Sequence, residues 1–524
     1  MNYADLFRVT LPETMLEIAA LVVLVVDLGF LRKAALKLRV TTAALLGVAG
    51  CGAALWALQF QGHAGLSYGA SGESTLLATG GIAQVAQSGI LMLTALTLLL
   101  LIDCDFTRHV GEYVSVVLMA AVGGLLIAAA QDLLVIFIGL ELLSLGLYIL
   151  TAFAKSSGKS AEAAMKYYLF GGMSAAFLLF GFSYFYGLSG TTDLIGIRAA
   201  ITLTGASPLF YVAWILVVAG LGFKVAAVPF HLWTPDTYEG APAPAAAFIA
   251  SVSKVASFAL LVTLSLNWLM PSGAFEGQVD AVNSVVLRTY QVWSHLAVIL
   301  LVVAAASMLV GNLAALAQAS VRRLLAYSAI AHAGYILLGI ATQRAYSGQG
   351  SPIEFFQSTT GPALRSANAV LFYILTYGLT TIGAFGVVSV VERATGSDRL
   401  DSFVGLHKRN PLLAAVLLVL FLSLAGIPPL VGFYAKFNLF AAVLGISAGP
   451  VPFALVALAV ALSVVSLYYY LQVLKRAYVM PAVDESPIKA HPVTLAVLIA
   501  IAATVIVLGC FPALLQNWIE SFHR

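Results

Sequence analysis

The stretch GFKVAAVPFHLWTPDTYEGAPAPAAAFIASVSK, residues 222–254, decides the fold of this protein. An apolar run ends in it with a lysine, Lys224, and Pro229 follows shortly after. Proline removes a backbone donor and clashes with the preceding turn, so a helix is expected to break there. The chain then enters another apolar run, which carries Lys254. Charges beside an interrupted apolar helix are typical of a polar path through a membrane.

The composition of the whole chain indicates a membrane protein. Of its 524 residues, 61% are hydrophobic and 9% are charged, whereas soluble proteins carry about 25% charged residues. This excludes an ordinary soluble enzyme, since a water-soluble fold cannot bury so large an apolar share. The short alternating segments of a membrane β-barrel do not occur in the sequence. We therefore expect an all-α polytopic membrane protein.

Apolar runs bounded by charges, Pro and Gly predict about fourteen transmembrane helices in a single transmembrane domain, residues 1–524. They are expected near residues 12–31, 40–59, 83–102, 113–130, 132–153, 162–188, 208–231, 243–269, 293–316, 321–342, 366–391, 411–445, 452–474 and 492–515. Two stretches, near 193–204 and 398–407, are too short to cross and are expected at the membrane interface.

The distribution of Lys and Arg predicts the orientation. Most basic residues fall in alternate loops, beginning with Arg32, Lys33, Lys37 and Arg39 after the first span. Cytoplasmic loops retain positive charge, so these loops are predicted to face the cytoplasm. Both termini are then predicted to face away from the cytoplasm, which in the inner membrane of a bacterium is the periplasmic side.

Four lysines fall within predicted spans rather than loops, namely Lys166, Lys224, Lys254 and Lys436. A lysine at the bilayer centre costs about 2.5–3.5 kcal/mol on insertion scales, so four in one chain indicate a function. Lys, unlike Arg, can lose its proton when it is desolvated or near another cation. We predict that these lysines transfer protons. The alternatives are ion pairs that join helices and, for Lys166 near the end of its span, a side chain that reaches the membrane surface.

Two further titratable residues lie within predicted spans, Glu141 in the fifth and His332 in the tenth. A carboxylate in the membrane is expected to pair with a cation, and both Lys224 and Lys166 are candidates. Histidine titrates near neutrality, so His332 suits a proton relay. A hydrogen-bonded structural histidine is the alternative.

A second break is predicted at Pro428 and Pro429, just before Lys436 in AGIPPLVGFYAKF. The two breaks fall in the seventh and twelfth spans. Because five spans separate them, and five is odd, a repeat with this period must be inverted in the membrane. Paired interrupted helices are the sequence sign of inverted-repeat transporters. We predict two inverted five-helix repeats, spans 4–8 (residues 113–269) and spans 9–13 (residues 293–474), with His332 as the counterpart of Glu141.

These motifs resemble those of the antiporter-like membrane subunits of respiratory complex I, the NADH:quinone oxidoreductase. The resemblance rests on residues 222–254, on SVRRLLAYSAIAHAGY at 320–335 and on GIPPLVGFYAKF at 426–437, and it covers essentially the whole chain. Glu141 matches the family's fifth-span glutamate. The four lysines match its sixth-, seventh-, eighth- and twelfth-span lysines.

The resemblance implies a proton-translocating subunit without redox chemistry of its own, driven by electron transfer from NADH to quinone elsewhere in the complex. Its partners would be peripheral subunits and other membrane subunits, notably neighbouring antiporter-like and small ones. NADH, FMN, iron–sulfur clusters and quinone would be bound by those partners, and none by this chain.

The remaining sequence features agree with the binding of all cofactors by partner subunits. Cys51, Cys104 and Cys510 lie too far apart for a cluster-binding or metal-binding pattern, and no basic tract suggests a nucleic-acid partner. Two other functions stay open at this point. One is a chain of a stand-alone or multisubunit sodium/proton antiporter. The other is a structural subunit whose buried charges only hold helices in register.

Overall fold

The computed structural model describes residues 7–61, 76–269, 279–342, 362–446, 449–481 and 486–522. These residues are almost entirely helical, and the only β-type pairings among them are three isolated bridges between loops. The expected all-α fold is confirmed.

The helices are numbered here in chain order. They are α1 Leu11–Val25, α2 Leu36–Leu58, α3 Gly81–Leu101, α4 Val110–Ala129, α5 Leu133–Thr151, α6 Gly158–Ser189, α7 Leu194–Thr204, α8 Pro208–Val225, α9 Trp233–Gly240, α10 Ala243–Phe248, α11 Lys254–Leu269, α12 Val279–Ala315, α13 Val321–Ala341, α14 Pro362–Thr395, α15 Leu406–Arg409, α16 Pro411–Ala425, α17 Val431–Ile446, α18 Pro450–Tyr478, α19 Pro492–Cys510 and α20 Ala513–Ser521. Two π-helical turns, Val26–Phe30 and Ile249–Ser253, extend α1 and join α10 to α11, and Leu400–Phe403 forms a 3₁₀ helix.

The helices account for the fourteen predicted spans. Twelve are long and apolar enough to cross a membrane, counting α10 and α11 as one. The first span is α1 with its π-helical turn, and another consists of two shorter apolar helices, α16 and α17. The two short stretches form α7 and the segment containing Leu400–Phe403 and α15.

Several helices begin where a polar side chain accepts hydrogen bonds from the first turn. Asp132 accepts from the backbone N–H of Leu134, Ser320 from that of Arg323, and Asn410 from that of Leu413. Such caps satisfy donors that have no partner within the helix, and they fix where α5, α13 and α16 start.

Close packing surrounds a central span, residues 243–269, whose most apolar stretch is completely buried. It contacts α3, α4, α8, α13 and α14. Glycines permit the close approach of the neighbouring helices. At Gly123 of α4 a Cβ would lie only 2.5 Å from the backbone nitrogen of Leu143 in α5, so only glycine fits there.

The basic loops gather at one end of the bundle, called here the basic end. Ion pairs tie them together: Arg39 with Asp27 (2.6 Å), Lys159 with Glu239 (3.1 Å), Arg323 with Asp236 (2.7 Å), Arg322 with Glu392 (3.3 Å), and Arg393 with Asp103. The other end, called the opposite end, is marked by the bridges of Leu77 with Ala130 and of Asp132 with Asp193.

Two spans are broken in the same way. α8 ends at Ala226 and α16 ends at Gly426, each with a left-handed backbone (φ of 63° and 87°). In both, the N–H groups of this left-handed residue and of the residue after it bond back to the last turn, as in a Schellman motif (Ala227 N to Gly222 O, 2.8 Å; Ile427 N to Leu422 O, 3.0 Å). The predicted breaks at Pro229 and at Pro428 and Pro429 are confirmed. Pro229 and Pro429, each preceded by a cis peptide bond, lie three residues after the left-handed residue of their span.

Candidate functional site

Lys224 is buried at the end of α8, directly before the first break, with 5% of its surface exposed. Its ammonium donates a hydrogen bond to the Ser144 hydroxyl of α5, which in turn donates to the carbonyl of Leu140. The broken segment beside it is anchored to α12, because the backbone N–H of Val228 donates to Ser307 Oγ at 2.9 Å. The break therefore holds Lys224 against α5.

Glu141 lies in α5, one turn before Ser144. In the described part of the chain it forms no ion pair with any lysine, so the expected direct pairing with Lys224 or Lys166 is wrong. The Glu141 carboxylate is nevertheless close enough to interact electrostatically with Lys224. It is half-buried, on the same face as Ile138 and Leu145, which are 60% and 51% exposed. That face points away from the bundle.

Lys254 lies in the central span, immediately after the π-helical turn Ile249–Ser253, and is 3% exposed. Its Nζ donates to the carbonyl oxygen of Ala329 in α13 at 2.7 Å. The aromatic ring of Tyr377 in α14 lies 5.8 Å from the same Nζ. π-Helical turns are frequent at functional sites, and this one directly precedes the lysine in an otherwise α-helical span.

His332 lies in α13, one turn beyond Ala329, and is 4% exposed. Its Nδ1 is hydrogen-bonded to the Tyr373 hydroxyl of α14 at 2.7 Å. Its ring lies 4.8 Å from that of Tyr377, the residue that also faces Lys254. His332 interacts electrostatically with both Lys254 and Lys436. The histidine thus lies between two lysines.

Lys436 lies in α17, beyond the second break, and is 5% exposed. Its ammonium donates to the carbonyl oxygens of Leu424 and Ala425, each at 3.0 Å, and to Ser463 Oγ of α18 at 2.8 Å. The two carbonyls are the last of α16, whose C-terminus carries partial negative charge and attracts a cation. Gly426 leaves room for the side chain, since a Cβ there would lie 3.1 Å from Lys436 Cδ.

Lys166 differs from the other three lysines. Its side chain is 40% exposed, and its Nζ lies 2.7 Å from Glu162 and 2.7 Å from Asp236. Of the two interpretations left open for Lys166, the side chain that reaches the membrane surface is therefore the one observed. It belongs instead to an ion-pair cluster at the basic end, in which Asp236 also pairs with Arg323 of α13. Lys166 lies near the end of its span, so its long side chain can reach the ion pairs of the basic end although the surrounding sequence is apolar.

Four residues that hold the site were not singled out from the sequence. They are Ser144, Ala329, Tyr373 and Ser463, which accept from or bond to Lys224, Lys254, His332 and Lys436. A hydroxyl in an apolar helix is too common to signal a contact. Ser144 alone had a local sign, since it lies one turn from Glu141.

The three buried lysines share one chemical feature. Among the described residues no carboxylate lies within ion-pairing distance of Lys224, Lys254 or Lys436, and each ammonium is held by neutral oxygens. An ammonium buried without a counter-charge is costly, and lysine can relieve that cost by releasing its proton. No group of three or more His, Cys, Asp or Glu residues that could hold a metal occurs in the described part of the chain.

The two broken spans and the buried lysines beside them define an antiporter-like polytopic membrane protein. The family described as NADH:quinone oxidoreductase/Mrp antiporter, transmembrane, matches residues 130–276 and 281–466. The chain belongs to this family.

Individual relatives point to one kind of subunit. The chain is 45% identical, over 99% of each sequence, to NADH-quinone oxidoreductase subunit N 2 of Acidobacterium capsulatum. It is similar to a chain of respiratory complex I from Thermus thermophilus, with 32% identity, a TM-score of 0.72, and 97% and 98% of the two chains covered. A chain of the Mrp complex from a Dietzia species shares the fold, with a TM-score of 0.74, 21% identity, and 98% and 97% coverage.

Proposed function

We propose that this chain is the subunit N of an NADH:quinone oxidoreductase, a membrane subunit that translocates protons across a bacterial inner membrane. The full-length similarity to a relative of that name supports the assignment. NADH, FMN, iron–sulfur clusters and quinone would be held by partner subunits. The observation that carries the proton chemistry is the set of three buried lysines bound only by neutral oxygens.

Protons would pass along a row formed by Lys224, Lys254, His332 and Lys436. Lys254 contacts α13 one turn from His332, and His332 interacts electrostatically with Lys436. A positive charge that arrives at one member destabilises the charge on the next. Glu141 stabilises a proton on Lys224 by the opposite effect. Charge changes at one end of the row are thereby passed to the other end.

The matched breaks support the two inverted five-helix repeats. The left-handed cap and the prolines stand at corresponding positions in α8 and α16, yet the lysine precedes the break in the first and follows it in the second. Because the two helices run in opposite directions, both lysines belong to the half nearer the opposite end. Asp236 occupies the position in the first repeat that Lys436 occupies in the second.

The basic end supplies water access. A cavity of about 770 Å³ opens there below the start of the central span, lined by charged residues that include Lys159, Glu239, Arg322 and Glu392. We assign this end to the cytoplasm on the positive-inside rule, which places both termini in the periplasm. By contrast, the space beside His332 and Tyr373 measures about 10 Å³, room for one water at most.

The outward face of α5 would be covered by a neighbouring membrane subunit. Glu141 is half-buried there among exposed apolar residues, and a carboxylate is costly in contact with lipid. A partner helix would complete its surroundings.

Proton transport is favoured over sodium transport by the contacts of Lys436. The oxygens that a sodium ion would need beside the second break, those of Leu424, Ala425 and Ser463, are occupied by the lysine ammonium. The test is NADH-driven proton uptake by inverted membrane vesicles in sodium-free and sodium-containing buffer. We expect equal uptake in both. Uptake that requires sodium would contradict the proposal in favour of an antiporter.

A further inference from the structure

Glu13 is a buried carboxyl group outside the row of lysines. It lies near the start of α1, with 4% of its surface exposed. Its Oε1 accepts a hydrogen bond from Gln87 Nε2 of α3 at 3.2 Å. Its Oε2 has no hydrogen-bond partner in the described part of the chain.

In the described part of the chain, no lysine or arginine forms an ion pair or hydrogen bond with this carboxyl. α3 contains no charged residue, and the charges of the packed helices α2 and α4 are Lys37, Arg39 and Glu112, all at the basic end. On α1 itself the nearest titratable group is the exposed Glu17, one turn further on, which is also acidic. An ionised Glu13 would therefore be a buried anion with one neutral donor and an acidic neighbour.

A proton on Glu13 resolves this problem. Burying an ionised carboxylate without a cation is far more costly than burying the neutral acid. The neutral acid also carries a hydrogen-bond donor, whereas two buried oxygens on α1 and α3 have no donor. On α3, one turn before Gln87, the Oε1 of Gln84 likewise has no partner. A protonated Glu13 provides a hydroxyl donor on this side of α1, which an ionised Glu13 lacks.

Glu13 is connected to the lysine row by one helix. The Gln87 amide that donates to Glu13 also donates to the carbonyl of Leu125 in α4, at 3.3 Å. The adjacent Gly124 packs against the central span, since a Cβ at Gly124 would lie 3.6 Å from the methyl carbon of Ala256. Ala256 lies two residues beyond Lys254.

Glu13 is also close to water at the opposite end. Arg8, five residues earlier, is exposed. Glu13 itself lies in the first turn of α1, two residues after its start at Leu11. A proton on Glu13 therefore has a short way to the aqueous phase on the side that we assign to the periplasm.

We propose that Glu13 is a proton-binding site on the transport route, holding a proton at neutral pH and exchanging it with the aqueous phase at the opposite end. This inference rests on the proposed function, because it adds a carboxyl group to the same proton route. It differs from the row in lying outside both five-helix repeats.

The test compares the intact complex with its Glu13→Gln variant by infrared difference spectroscopy and by NADH-driven proton uptake. Glutamine keeps the acceptor for Gln87 but cannot bind a proton, so assembly is expected to be unchanged. We expect the native complex to show a protonated-carboxyl C=O band at neutral pH that the variant lacks. We also expect proton uptake per electron to fall at least twofold in the variant. Glu520→Gln, at an exposed residue of α20, is the matched control and should change neither.

Two outcomes would overturn the inference. One is an identical carboxyl band in native complex and Glu13→Gln variant, and the other is loss of the band with unchanged proton uptake. If Glu13→Gln pumps normally while Lys254→Met does not, the inference fails and the proposed function stands. If Lys254→Met also pumps normally, the proposed function itself fails. If Glu13→Gln does not assemble, Gln87→Leu is measured instead. Gln87 donates a hydrogen bond to Glu13, so its loss should raise the frequency of the C=O band of protonated Glu13.

Discussion

The ammonium of Lys254 donates to the carbonyl oxygen of Ala329 at 2.7 Å, and this contact joins the central span to the helix that carries His332. Tyr377 lies against both the lysine and the histidine. A change of charge on Lys254 therefore acts on α13 within one turn of His332. This contact explains how a lysine and a histidine from different helices can take part in one proton route.

Removing the hydroxyl that holds His332 should impair the route. In Tyr373→Phe the imidazole loses its 2.7 Å partner, which we expect to cost about 0.5–1.5 kcal/mol of stability and to lower NADH-driven proton uptake. Thermal unfolding and vesicle assays on the purified complex check both effects. Tyr468→Phe, at an exposed tyrosine of α18, is the control. Proton uptake equal to that of the control would remove Tyr373 from the account.

Ser144 should matter because it is the hydrogen-bond acceptor of Lys224. Hydrogen bonds to charged groups contribute about 1.5–3 kcal/mol, so in Ser144→Ala the protonated state of Lys224 loses a large part of its support. We expect proton uptake per electron to fall, though less than in Lys224→Ala. Ser183→Ala, an exposed serine of α6 that bonds only its own helix, should have no effect. A larger loss in Ser183→Ala than in Ser144→Ala would contradict this.

The matched caps of the broken spans predict opposite effects of two small substitutions. Ala226 has a left-handed backbone, which costs a non-glycine residue roughly 1–2 kcal/mol, so Ala226→Gly should raise stability by about 1 kcal/mol. Gly426→Ala introduces the same strain and also places a Cβ 3.1 Å from Lys436 Cδ, so it should lower stability by more than that. Thermal unfolding of both variants is the measurement. Equal or reversed shifts would refute the equivalence of the two breaks.

Lys166 should be dispensable for transport. Its ammonium is half-exposed and paired with Glu162 and Asp236 at the basic end, away from the buried row. In Lys166→Met we expect the proton-to-electron ratio of the native complex. A ratio as low as that of a Lys224 variant would show that the basic-end cluster belongs to the proton route after all.

The sequence predicts the helices and their breaks well, and it predicts the side-chain contacts poorly. Apolar runs and proline positions are local properties, and they locate the spans and the breaks at Pro229 and Pro428 within a few residues. Burial of Lys224, Lys254 and Lys436 follows from their depth in these runs. The contacts of Glu141 and Lys166 depend on helix rotation and on neighbours distant in sequence, which an evenly apolar helix does not encode. For the same reason the acceptors Ala329 and Ser463 carry no sequence signal.

The proton-to-electron ratio of the Lys254→Arg complex tests the central claim most directly, namely that the buried lysines release and rebind protons. Arginine keeps the positive charge and can donate hydrogen bonds, but it does not lose its proton in proteins. Inverted vesicles driven by NADH, at matched complex content, provide the ratio, with Lys155→Arg at an exposed loop position as control. We predict a ratio well below that of the native complex and the control. An unchanged ratio in Lys254→Arg would mean that the lysine only supplies a fixed charge, and it would contradict the account.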